Sequence, residues 1–315
     1  MLLKKYIINL FLKYFPSSLV KLLKKKKYFK PLNFFFDKLI SNVICIDVGA
    51  SFFEHMRWQL FLNNKKTIWV AVEPNEKNIT YKNNWIWSSK LELIPRGVSE
   101  NGKIKDLYVT KIESGSSLLK PDVKNNNYLR FQNMKKTHFP YQKKEIDTLK
   151  LSELIKFRID NTFFIKLDVQ GIELSILKEV KNFFKEKIIL GIETEASLLS
   201  SPLYKGSCKF YEINDFFDKL GYDLIFINTI KFKSYIIKSE KSNRVPIECD
   251  CVFIPKLDDI FKMKNESKLN LLAFLSCYNL YEDIKIIIDN DIYLQKIIKE
   301  KIDYKKFYKT LVNQI

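Results

Sequence analysis

Glycine is scarce in this chain, at 8 of 315 residues, which excludes collagen-like and Gly-rich architectures. No apolar run reaches about 18 residues, so no membrane-spanning helix is expected. No internal repeat of fixed period occurs, which sets aside repeat architectures. The cysteines (Cys45, Cys208, Cys249, Cys251 and Cys277) show neither zinc-finger spacing nor a dense disulfide framework. A reducing cytoplasm suits that set. Arginine is short as well, with only Arg57, Arg96, Arg130, Arg158 and Arg244 among 54 basic residues. Arginine is the side chain favoured for base and phosphate recognition, so nucleic acid is disfavoured as a partner despite a formal charge of +18.

The chain does have apolar and aromatic side chains, 46% and 14%, enough to bury a sizeable core. Its basic excess is uneven, because Met1 to Lys30 carries nine lysines and no acid. Apolar residues recur there at roughly helical spacing, without the continuous apolar run and small-residue cleavage site of a signal peptide. Residues 1–37 therefore read as a basic amphipathic segment. It either rests on an anionic membrane face or packs on the main domain as an ordinary helix with solvated lysines. Residues 38–256 read as the main domain, and residues 257–315, Lys/Ile/Leu-rich at helical spacing, as a helical C-terminal extension.

Between these ends the pattern is alternating α/β. Val43–Asp47, Thr67–Val72, Leu91–Ile94, Thr162–Leu167, Lys187–Ile192, Leu224–Ile227 and Val252–Ile254 read as strands, most of them buried and parallel. Helices are expected over His55–Asn63, Ile172–Phe183 and Phe210–Leu220, the last stopped by Gly221. Asn101-Gly102 between two apolar arms predicts a hairpin over Val98–Thr110. The predicted fold is a Rossmann-like, doubly wound, mostly parallel seven-stranded sheet with helical extensions at both ends.

Several of these strands end in a carboxylate: Asp47, Glu73, Asp168 and Glu193. Burying such groups unpaired is costly, so they are expected along one rim, where open parallel sheets bind ligands. Glu73 lies 26 positions after Asp47, at the end of the neighbouring strand. A carboxylate there can accept hydrogen bonds from both hydroxyls of an adenosine ribose, or it can cap the turn before Asn75. The loop after the first strand reads GASFFEH, with one glycine followed by two phenylalanines. A pyrophosphate-bearing dinucleotide needs the G-x-G-x-x-G loop, and no P-loop is present either. S-adenosylmethionine (SAM) carries no phosphate and needs a single tight turn at Gly49, so it is favoured.

The blocks ICIDVGAS, AVEP, IDTLKLSEL, FIKLDVQGIELSIL and ECDCVFI resemble those of FkbM-type SAM-dependent methyltransferases, over roughly Ser41 to Pro255. The loop departs from that family's G-A-N-x-G pattern, with Ser51 in place of Asn and Phe53 in place of the second glycine. The resemblance implies a methyltransferase sheet and O-methylation of a hydroxyl, on a sugar, glycan or glycolipid precursor. It implies that Asp47, Gly49 and Glu73 contact SAM together with the loop neighbours Ala50 and Ser51. Asp168, Gln170, Gly171 and Glu173 would form the edge of the reaction site, Gln170 on its cofactor side.

For the chemistry, Asp168 is the first candidate base, its pKa raised if it is desolvated beside Glu173 or Glu193. Alternatively, Asp168 with Glu173 or Glu193 holds a cation such as Mg²⁺ that acidifies the acceptor hydroxyl. Glu173 can also simply stabilise the first turn of its helix. His138, in the polar stretch KKTHFPYQKK, is a further candidate base on a lid, and Ser116-Ser117 a candidate pocket wall or turn. Two other readings compete: a nucleic-acid methyltransferase, and a non-catalytic membrane-surface adaptor on a decayed fold. The expected location is the cytoplasm, peripheral at the inner membrane face if the basic segment meets lipid.

Overall fold

The computed structural model describes residues 31–50, 56–75, 85, 87–111, 115–122, 124–127, 139–232 and 245–315. The basic segment 1–30, with its expected membrane contact, lies outside them, as do Ser51, Phe53 and His138.

Strand β1 (Val43–Val48) is buried along its whole length, as its mostly apolar run requires. It pairs in parallel with β2 (Thr67–Val72) on one side and β8 (Thr162–Leu167) on the other. β3 (Lys90–Ile94) lies outside β2, and β9 (Ile189–Ser197) lies outside β8, both parallel. Beyond β9 come β11 (Val245–Pro255), antiparallel to both its neighbours, and β10 (Tyr222–Phe232) at the edge. The seven-stranded order is β10-β11-β9-β8-β1-β2-β3. The chain winds outward from β1 in one direction and from β8 in the other. The switch point therefore falls between these two central strands, and a crevice opens at their carboxyl ends.

Strand alternation sends side chains to two helical layers. Cys45, Trp69 and Phe164 face a layer built from α1 (Asn33–Leu39), α2 (Gln59–Asn63) and the C-terminal helices. Ile44, Val70 and Phe163 face the layer of α3 (Leu151–Ile155), α4 (Glu173–Glu179), α5 (Lys181–Lys185) and α6 (Phe210–Asp218). Cys249 and Cys251 belong to this second core.

The C-terminal extension forms five helices: α7 (Leu257–Lys262), α8 (Asn265–Cys277), α9 (Tyr281–Asp289), α10 (Ile292–Lys301) and α11 (Tyr304–Val312). α8 is buried continuously from Lys268 to Cys277, the condition of a helix enclosed on all sides. Its Phe274 stacks on Phe164 of β8 at 4.4 Å. Its one buried cation, Lys268, is paired with Asp291 at 2.6 Å, and Asp291 caps α10 by accepting the Leu294 N–H. Asn270 bonds Ser41 and Thr162, tying α8 to the approach to β1 and the start of β8.

Two local expectations fail for long-range reasons. The Asn101-Gly102 turn forms, with Gly102 N–H donating to Ser99 Oγ, but its arms do not pair with each other. β4 (Gly97–Val98) instead pairs with β7 (Thr148–Leu149), and β5 (Lys105–Thr110) pairs with β6 (Pro140–Ile146). Ser99 Oγ also bonds Thr148 Oγ1 at 2.6 Å, so a side chain of the turn is committed to a distant partner. The strand expected to end at Ile192 runs on to Ser197, because pairing with β11 continues through Glu195 and Ser197. Glu193 therefore sits within β9 rather than at its end.

Candidate active site

Gly49 leaves β1 with φ +80°, a conformation that side-chain-bearing residues rarely adopt. A Cβ built there would lie 2.0 Å from the Asp168 carbonyl oxygen. The ends of β1 and β8 cross in contact, held by Asp168 N–H to Val48 O, while Gly49 N–H donates to Val72 O at the end of β2. Above the crossing opens a cavity with about 630 Å³ of empty space. Glu73 and Asp168 both line it, with Gly49 and Pro74 beside them. Its remaining wall is apolar: Val48 and Val72 from the sheet, Val98 and Leu107, and Ile146 and Ile172. These apolar residues come from segments remote in sequence, and no motif marks them; Ser116, one of the serines singled out, joins them at the wall. Glu73 Oε1 accepts the Asn75 N–H at 3.0 Å, so the turn-capping role is present alongside the cavity position.

Asp168 is held from its far side. Lys166 Nζ donates to Asp168 Oδ2 at 3.1 Å and Gln170 Nε2 to Oδ1 at 3.2 Å. Lys166 also lies 3.8 Å from Asp47 Oδ1. Burial opposes its charge, but the Asp168 and Asp47 carboxylates outweigh burial and push its pKa up, so it stays an ammonium. Asp168 keeps 38% of its side chain exposed, enough to meet a ligand.

Other sequence candidates take different places. Asp47 is only 4% exposed and does not line the cavity; its carboxylate is turned to the Lys166 side of the sheet. Ala50 packs its methyl into the core and contributes a backbone N–H to Val72 O. Gln170 does not line the cavity; it bridges Asp168 and Glu195 (2.6 Å) and so braces the Asp168 carboxylate. Glu173 is likewise displaced from the expected catalytic position. It is buried and accepts the N–H groups of Val169 and Gly171 and the Cys208 thiol. A carboxylate so saturated shapes the Asp168–Gly171 turn at the head of α4; burial nonetheless raises its pKa. Ser117 completes that brace by donating to Gln170 O.

The Asp168–Glu193 cation site is not formed. Glu193 takes Arg57 Nη1 at 2.9 Å on one oxygen and the Tyr278 hydroxyl at 2.5 Å on the other. Among the described residues no group of three or more His, Cys, Asp or Glu side chains is arranged to hold a metal ion. Trp58 Nε1 donates to Tyr278 in turn, and Arg57 lies over the Phe226 and Tyr278 rings. Tyr278 shows that the C-terminal extension reaches the sheet's functional end, which its Lys/Ile/Leu composition did not reveal. Glu193→Gln is expected to lower unfolding stability by about 1–2 kcal/mol, because it leaves the half-buried Arg57 without its anion. Urea denaturation measures this; a loss below about 0.5 kcal/mol would mean the pair contributes nothing.

A narrow recess lies on the Glu195 side of Gln170. Glu195, Glu248, Ser197, Tyr204 and Ser207 line it. Burial, then the neighbouring carboxylates, pushes Glu248 up to about 7 and Glu195 well above the usual carboxylate range. The serine hydroxyls there can donate as well as accept, beside carboxylates that accept.

A doubly wound sheet with a reversed strand beside its edge, a single-glycine crossing and a carboxylate-tipped second strand defines a nucleoside-cofactor enzyme without a phosphate loop. The family model described as "Methyltransferase FkbM domain" matches residues 47–224, more than half of the chain. The chain belongs to this family and is a SAM-dependent methyltransferase. Among solved structures, a SAM-dependent methyltransferase from Methanosarcina mazei aligns with 69% of this chain and 93% of its own, at 6% identity and a TM-score of 0.27. The M. capricolum TrmK complex with S-adenosyl-homocysteine aligns with 90% of this chain and 97% of its own, at 13% identity and a TM-score of 0.29. Both likenesses are distant. No curated protein matches the chain. Among the described residues, no helix is long and apolar enough to cross a membrane.

Proposed function

We propose that the chain O-methylates a hydroxyl of a sugar, glycan or glycolipid precursor, with Asp168 as the base. The observation that carries this reading is the single cavity joining Glu73 to Asp168 across the Gly49 crossing. The residues present fit SAM: Glu73 for ribose hydroxyls, an apolar wall for the adenine, and the Gly49–Asp168 crossing as the floor. Bound SAM supplies an activated methyl on its sulfonium. The protein's task is to align the acceptor oxygen, take its proton on an Asp168 oxygen and exclude water. Lys166 and Gln170 fix the Asp168 carboxylate, so little reorganisation is needed when it receives that proton. The serine hydroxyls and the carboxylates of Glu195 and Glu248 in the adjoining recess support a polyhydroxyl acceptor, because sugars pair with both donors and acceptors.

The ribose assignment is tested at Glu73. Calorimetry should show Glu73→Ala losing SAM affinity by about ten- to a hundredfold, the loss of charge-assisted hydrogen bonds. Unchanged affinity would remove Glu73 from the cofactor site.

A further inference from the structure

The cavity that joins Glu73 to Asp168 does not end at the sheet. Its wall residues Leu118 and Ile172 also line an open groove with about 1460 Å³ of empty space, running past Gly171, Ser207 and Lys209. That groove shares Leu174, Lys178 and Glu212 with a third depression, about 1270 Å³, between α4–α5 and α6. The three form one path from the reaction edge along the helical face.

The charge along this path is ordered. Lys178, Lys181 and Lys185 stand at i, i+3 and i+7 on the nearly continuous α4–α5, all exposed and all lining the outer depression. Like charges at that spacing repel, and none of the three has an ion pair or side-chain hydrogen bond among the described residues. Lys209 extends the row toward the reaction edge. The groove's acids are otherwise engaged: Glu100 with Lys105, Asp215 with Lys219, and Glu212 with the Lys209 N–H that opens α6. Glu212 keeps its charge on the path, but Lys178, Lys181, Lys185 and Lys209 outnumber it, so among the described residues the path is net positive.

Resting on the glycan reading above, we infer that this groove binds the phosphate-bearing part of the acceptor, a sugar carried on a diphosphate. Seven helical residues span about 10 Å, the scale of a diphosphate with its adjoining sugar rather than of a polymer. Lysine ammonium groups bind such phosphates as point charges, without bidentate geometry. Among the described residues only Tyr211 offers an exposed ring at the groove, too little for the stacking platform a single-stranded nucleic acid requires. The diphosphate could be borne by a soluble nucleotide or by a prenyl lipid, and the groove's open outer end admits either.

The test uses the full chain saturated with SAM. Calorimetry would measure inorganic pyrophosphate, uridine diphosphate glucose, a prenyl-diphosphate sugar in micelles and a short single-stranded oligonucleotide. The triple variant Lys178→Gln, Lys181→Gln, Lys185→Gln should weaken the diphosphate probes by about ten- to a hundredfold and leave SAM affinity unchanged. A matched triple on the opposite face of the sheet, Lys301→Gln, Lys305→Gln, Lys309→Gln, should change them less than about twofold. Preference between the two sugar probes names the carrier. Equal losses in both triples, or no diphosphate binding by the SAM-bound wild type, overturn the proposal while leaving the methyltransferase reading intact. Tighter binding of the oligonucleotide, lost in the groove triple, replaces the sugar diphosphate with nucleic acid. Failure to bind SAM would instead strike the underlying reading.

Discussion

Gly49→Ala is expected to abolish measurable SAM binding, a loss of at least about a hundredfold. Two penalties coincide at this position. The backbone sits at φ +80°, which costs a non-glycine residue about 1–2 kcal/mol. The added methyl would also meet the Asp168 carbonyl at 2.0 Å, well inside contact distance. That carbonyl belongs to backbone held by the Asp168 N–H to Val48 O bond, so it cannot swing aside as a flexible side chain would. Relief requires the ends of β1 and β8 to separate, which opens the floor of the cavity and moves Asp168 with it. Gly206→Ala is the control, since Gly206 has φ +82° and a Cβ placed on it would meet nothing within 4 Å. It should cost the backbone strain alone and leave SAM affinity as it was. Paired thermal melts and calorimetry read both effects. Wild-type SAM affinity in Gly49→Ala would show that the crossing is not the cofactor's floor.

Asp168→Asn is expected to leave SAM affinity within about twofold of wild type and to lower methyl transfer by about 10²–10⁴-fold, the usual contribution of a positioned base. The substitution is nearly isosteric, and Asn retains an oxygen that can accept from Lys166 or Gln170. The turn above Gly171 therefore has no cause to move, because Glu173 and Ser117 hold it independently. The fall should appear in the transfer rate rather than in binding, measured as labelled methyl passing from SAM into an acceptor glycan fraction. Full activity in Asp168→Asn would remove the base and transfer the proton to another group. A loss of activity accompanied by loss of SAM binding would instead make Asp168 part of the cofactor site.

These two residues also mark what could be read from the chain. The mostly apolar runs that lead to Asp47, Glu73 and Asp168 specify buried strands, since such runs without polar alternation fit a sheet covered on both faces. The lone glycine after β1 marks the only residue type able to cross Asp168 there. Neighbouring carboxylates at strand ends were also legible, and Glu73 and Asp168 do share one cavity. Their individual directions were not. Asp47 precedes the turn by two residues, and strand alternation turns it toward Lys166, under the sheet end rather than into the cavity. Glu173 follows the turn, where free N–H groups at the head of a short helix draw its carboxylate inward. Glu193 looked like a terminal acid because the apolar run stops there, yet antiparallel pairing with β11 carries the strand four residues further.

Local order along the chain thus decides the strand set, the glycine crossing and the acids available at its edge. These depend on side-chain type and period, which each short segment carries alone. Folding in three dimensions decides which acid faces the ligand and which faces a cation, and it brings in Arg57, Tyr278 and the apolar cavity wall. Such choices depend on contacts between residues as far as 220 positions apart or more, as between Trp58 and Tyr278, where no local pattern records the partner.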